Sequence, residues 1–84
     1  MEHAILPLFI RSSPILTEGE KQQLAATAQP TDEEVDLIRT DPEIRDLLHA
    51  FIGDEHSRST HLQLKAKSYL ANGNVDMAWK VLLL

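Results

Sequence analysis

Four histidines are the side chains best suited to hold a metal ion here: His3, His49, His56 and His61. Two ligands on one helix share a face only when they stand three or four residues apart. His56 and His61 are five apart, which turns them about 140° from each other at 100° per residue. His49 lies on the far side of Gly53, and no HExxH pattern is present. The spacing therefore predicts solvated or hydrogen-bonded imidazoles, with no metal and no cofactor.

The carboxylates Asp32, Glu33, Glu34 and Asp36 are the residue types of acid/base chemistry. That role needs burial or a close like-charge pair to shift a pKa. These four open a short helix, where the helix dipole accounts for them. Ser57, Ser59 and Thr60 beside His56 and His61 supply the types of a nucleophile and its base. A working arrangement also needs an orienting third group and an oxyanion hole, and a polar helix start offers neither. The three glycines are too dispersed for a phosphate-binding loop. No catalytic residue is assigned, and the chain reads as a non-enzyme.

The elements that would carry these residues are marked by punctuation. Thr17-Glu18-Gly19-Glu20 fits a capping box and starts a helix predicted to run to Ala28, before Gln29-Pro30. Thr31-Asp32-Glu33-Glu34 is a second box, opening a helix to Arg39 with Val35 and Ile38 inward. Asp41 is a good N-cap and Pro42 suits the first helical position. Ile44, Leu47, Leu48 and Phe51 then repeat at i, i+3, i+4 and i+7, an amphipathic stripe that Gly53 closes. Asp54 caps a helix over 55–72, polar in its first half, with Leu62, Ala66, Tyr69 and Leu70 on one face of the second. Gly73 ends it and Asn74 caps the last helix, with Val75, Ala78, Trp79 and Leu82 inward. No segment alternates as a half-buried strand does.

The fold class that follows is all-α: one domain over 1–84, a small bundle of four to five short helices ending in an αα-hairpin. Residues 1–16 form an apolar N-terminal segment with room for a short helix. Residues 17–53 hold the short capped helices, and 54–84 the hairpin.

Over residues 62–84, Leu62, Ala66, Tyr69, Gly73, Val75, Ala78 and Leu82 follow the large, small, aromatic, turn, large, small, large order of a tetratricopeptide (TPR) repeat, which this hairpin resembles. Lys65 departs from that pattern, standing where the family places a large residue. The resemblance implies two antiparallel helices brought close at Ala66 and Ala78. It also implies scaffolding or chaperone work, such as holding a helical partner.

Length and charge bound the rest. A chain of 84 residues buries only roughly 60–65% of its unfolded surface, so its core is marginal and a partner would help it. It has no cysteine, which excludes disulfides and thiolate zinc sites and fits a reducing compartment. Net charge is −5, distributed as −1 over residues 1–30, −7 over 31–56 and +3 over 57–84. The acidic middle argues against direct nucleic-acid binding. Acidic middle and basic tail are expected to pair with each other, helix against helix. The apolar N-terminus is interrupted by Pro7 and lacks the flanks of a signal peptide. No run approaches the roughly 20 apolar residues of a membrane span. Together these readings point to a cytoplasmic protein.

The last helix ends Val81-Leu82-Leu83-Leu84, apolar on every side. Leu82 faces the hairpin; Val81, Leu83 and Leu84 are not expected all to do so. Either Ile5, Leu6, Leu8, Phe9 and Ile10 fold back onto them, or the two ends leave an exposed apolar patch, the mark of an association site. The expected function is a non-catalytic protein–protein interaction module: a small chaperone, adaptor or regulatory subunit. Trp79, Val81, Leu83 and Leu84 are its expected contact residues, with Phe9 and Ile10 as a second patch. The partner is another protein or a second copy, in a homo-oligomer or an obligate heterocomplex. The alternative is an acidic nucleic-acid-associated regulator that blocks a partner.

Overall fold

A computed structural model describes residues 6–84 of the chain. Its six α-helices are α1 (Leu8–Arg11), α2 (Glu18–Ala25), α3 (Asp32–Leu37), α4 (Pro42–Ala50), α5 (Glu55–Ala71) and α6 (Val75–Leu82), with a 3₁₀ turn at Ile38–Thr40 and no strand among the described residues. The protein is all-α, as its periodicity predicts.

Both capping boxes form. Thr17 Oγ1 accepts from the Glu20 amide at 3.2 Å, and Glu20 Oε1 accepts from the Thr17 amide at 2.8 Å. The Thr31–Glu34 box has the same two bonds at 3.3 and 3.1 Å. Asp41 caps α4 by accepting from the amides of Glu43 and Ile44. Asp54 and Asn74 cap α5 and α6 through the amides of Ser57 and Met77. Two helices end sooner than their patterns suggest. α2 stops at Ala25, because the Thr27 amide closes back on the Leu24 oxygen at 3.1 Å and tightens the last turn. α3 passes into the 3₁₀ turn at Ile38, since Pro42 holds Asp41 extended (φ −65°, ψ 126°) and the chain must leave the helix before it.

The hairpin of α5 and α6 is the backbone of the fold and its most extensive helix–helix contact. Its turn is a Schellman motif: the Asn74 amide donates to the Tyr69 oxygen at 2.8 Å and the Gly73 amide to the Leu70 oxygen at 3.0 Å. Gly73 takes φ +75°, the left-handed region that only glycine enters without strain. Ala66 and Ala78 have no exposed surface, and Leu62, Leu70 and Leu82 are buried with them.

α2 and α3 then close over the free side of α6. The core is one cluster that takes Leu6, Ile10 and Leu16 from the N-terminal region, Leu24 from α2, Ile44 from α4 and Trp79, Val81 and Leu82 from α6. The two apolar ends thus share a core. Ser13 fastens the N-terminal region to α5: its hydroxyl donates to Gln63 Oε1 and accepts from the amides of Ile15 and Leu16. Lys67 Nζ adds bonds to the Ile15 oxygen at 3.1 Å and to Glu20 Oε1 at 2.7 Å. Lys65 on α5 pairs with Glu43 on α4, so the residue that departs from the repeat pattern joins the acidic middle to the basic tail. Among the described residues no helix is long and apolar enough to cross a membrane.

Candidate functional site

Among the described residues, the histidines and hydroxyl side chains singled out above bond chiefly to nearby backbone and neighbouring side chains. His49 and His56 are exposed. His61 turns its Nδ1 to the Ser57 carbonyl oxygen at 2.8 Å and stacks on Phe51, with centroids 4.2 Å apart. Thr60 donates its hydroxyl to the His56 oxygen one turn back, and Ser59 Oγ accepts from Gln63. The hydrogen bonds stay within α5, and the His61 ring packs α5 against the turn after α4. His3 and Ile5 lie outside the described residues. Among the described residues no group of three or more His, Asp or Glu side chains stands close enough to hold a metal ion.

Asp32, Glu33, Glu34 and Asp36 are all exposed. Hydrogen bonds from the Thr31 amide and then its hydroxyl hold the Glu34 carboxyl below its usual range. Asp54 is held low in the same way by the Ser57 amide. Both shifts belong to helix caps. Tyr69 titrates above its ordinary value because burial disfavours the phenolate. Lys65 is raised by its hydrogen bond to Glu43.

The expected contact residues divide. Trp79, Val81 and Ile10 have no exposed surface and belong to the core, so a partner does not reach them in this fold. The reason is tertiary: α2 and α3 pack on the side of α6 that the hairpin leaves uncovered. α1 likewise turns Ile10 inward and Phe9 outward. Leu83 and Leu84 are half-buried against the core. Phe9, 48% exposed, is the most open of the six.

A different surface gathers charge and apolar area together. Arg39 from the 3₁₀ turn, Arg45, Leu48 and His49 from α4, Ile52 from the turn after it, and Arg58 from α5 line an open cleft of about 400 Å³. Ile52 is 73% exposed, the highest value among the large apolar side chains described. Three of the chain's four arginines stand here. Arg39 bonds Asp36 at 3.2 Å and Arg58 reaches Glu55 at 3.9 Å, both with well-exposed carboxylates one turn away. Arg45 has no carboxylate within ion-pair distance among the described residues.

The lysines behave differently. Lys21, Lys65, Lys67 and Lys80 each pair with an acid, to Glu18, Glu43, Glu20 and Asp76. Lysine charge is thus spent on holding helices, while three of the four guanidinium groups line one opening. The signal for this cleft is present in the chain: Arg45, Leu48, His49 and Ile52 stand at i, i+3, i+4 and i+7. That stripe is overlaid by the apolar stripe through Ile44, Leu47, Leu48 and Phe51, which faces the core. Arg39 and Arg58 come from neighbouring elements, so no local pattern includes them.

No protein-family model, no curated protein and no solved structure matches this chain.

Proposed function

We propose that this chain is a protein-interaction module, a small adaptor, chaperone or regulatory subunit that acts by contact and not by chemistry on a substrate. The observation that carries this reading is the exposed Ile52, which lines one cleft together with Leu48 and three arginines. Arginine and apolar side chains together are the composition of protein interfaces, and arginine recurs among their hot spots. The TPR-like character of the α5–α6 hairpin belongs to the same reading: that hairpin is the rigid support on which Arg58 is mounted. A chain without cysteine suits the cytoplasm, which is where we place this activity.

The test is site-specific photo-crosslinking in source cells, with the crosslinker at Ile52 in one variant and at Leu64 in another. Leu64 is also well exposed but lies outside the cleft. The expected result is a discrete protein adduct from Ile52 that disappears when Arg45→Glu is added. No adduct, or the same adducts from Leu64, overturns the reading. Light scattering across a wide concentration range then shows whether the partner is a second copy.

A further inference from the structure

We infer that the cleft between α4 and α5 takes a short segment of a partner protein that seats one bulky aliphatic or aromatic side chain on Leu48 and Ile52 and sets one or two carboxylates on Arg39, Arg45 and Arg58. This names the partner's chemistry and rests on reading the chain as an interaction module.

The apolar part follows from Leu48 and Ile52. Both lie on the cleft surface, and Ile52 leaves most of its side chain in water. Covering it with a second apolar side chain removes area from water on both partners. The cleft, at about 400 Å³, falls within the range of pockets that accept a small ligand or an anchoring side chain.

The acidic part follows from the guanidinium groups. Arginine presents a planar fork that matches a carboxylate in two parallel hydrogen bonds. Arg45 is open to such a bond. Arg39 and Arg58 are held in place by Asp36 and Glu55, whose side chains are 72% and 89% exposed. Ion pairs that open to water are weak, so a partner carboxylate in a drier setting displaces them at little cost.

The number of carboxylates is limited by the surroundings. Residues 31–56 carry a charge of −7. A long acidic run or a nucleic acid meets that field over its whole length and is repelled. One or two carboxylates placed directly on guanidinium groups gain the short-range attraction, while the more distant acids are screened beyond about 8 Å at physiological salt.

The experiment is a titration of the full chain, followed through its backbone amide resonances, with short blocked peptides of otherwise neutral sequence. One carries leucine flanked by glutamates; others carry leucine flanked by glutamines, leucine flanked by lysines, and serine flanked by glutamates. Inorganic phosphate is a separate probe. The expected result is saturable shifts at Arg39, Arg45–Ile52 and Arg58 with the first peptide. The glutamine and serine versions should bind at least about fivefold more weakly, the change that loss of one good contact of roughly 1 kcal/mol gives. Arg45→Gln and Ile52→Ser should weaken the first peptide similarly while leaving thermal unfolding unchanged, since both residues are exposed.

Equal binding of the glutamine or lysine peptide overturns the carboxylate preference and leaves the cleft standing as an apolar docking site. Comparable shifts with phosphate overturn the apolar anchor and leave an anion site. Concentration-dependent shifts of the same amides without peptide give the cleft to a second copy. Absence of any saturable shift overturns the inference, and the interaction reading falls with it only where Ile52 also fails to crosslink.

Discussion

The indole N–H of Trp79 donates to the main-chain oxygen of Leu24 at 2.9 Å, across 55 residues of sequence. This buried bond joins the last helix to the end of the second. It gives Trp79 a partner for its one polar atom, which a fully buried tryptophan needs. It also places the largest side chain of α6 under α2. The same Leu24 oxygen accepts from the Thr27 amide at 3.1 Å, so one carbonyl terminates α2 and anchors α6.

Trp79→Phe keeps most of the ring and removes the donor. The Leu24 oxygen retains Thr27, so the expected loss is at the low end for a buried hydrogen bond, about 1 kcal/mol. Trp79→Ala removes the ring and is expected to cost about 3–5 kcal/mol, enough to unfold a domain of this size. Urea denaturation followed by circular dichroism checks both. A Phe variant as costly as the Ala variant would mean that the bond, and not the packing, holds α6.

What was legible in the chain was local. Thr17–Glu20 and Thr31–Glu34 declare themselves because a capping box needs only residues three apart. Asp41-Pro42, Asp54, Gly73 and Asn74 act within one turn for the same reason. The fate of Val81, Leu83 and Leu84 depends on what covers α6 from outside the hairpin. That cover comes from α2 and α3, and nothing within residues 62–84 encodes it. The cleft was hidden in the same way: Arg39, Arg45 and Arg58 belong to three elements and become neighbours only when α4 folds against α5. Leu48 contributes to both faces of α4, and the core-facing stripe masks the outer one.

Glu20, paired with Lys67, contributes to the acid sensitivity of the fold. Burial alone raises the Glu20 carboxyl, but the hydrogen bond from Lys67 and those from Thr17 together hold it below its ordinary value of 4.5. The unfolded chain therefore binds more protons at Glu20 than the native one between those two values. Stability from this group is present above pH 4.5 and is lost as pH falls through the lowered native value. Glu20→Gln should flatten that part of the stability profile and lower stability at neutral pH by about 1 kcal/mol. Denaturant midpoints measured from neutral to acid pH test it. An unchanged acid limb would show that other carboxylates govern it.

Gly73→Ala tests the hairpin turn. At φ +75° a Cβ meets no neighbouring atom, so the cost is backbone strain and not a clash. The expected loss is about 1–2 kcal/mol. Gly73→Asn should lose less, because asparagine tolerates the left-handed region better. Thermal melts of the two variants should keep that order. Equal losses would place the requirement in something other than the conformation of this residue.

The apolar termini give the last test, a contrast between Leu83 and Leu84 on one side and Leu8 and Phe9 on the other. Leu83 and Leu84 pack half-buried against the core, whereas Leu8 is 69% and Phe9 48% exposed. If the C-terminal leucines formed a free association surface, replacing both with glutamate would leave stability alone. The packing predicts otherwise: Leu83→Glu with Leu84→Glu removes apolar contact from the core and should cost about 2–3 kcal/mol in total. Leu8→Glu with Phe9→Glu changes side chains that already meet water and should stay within about 0.5 kcal/mol each. Denaturant unfolding of the two double variants decides between the readings. A stable C-terminal variant would mean that these leucines are open to a partner after all.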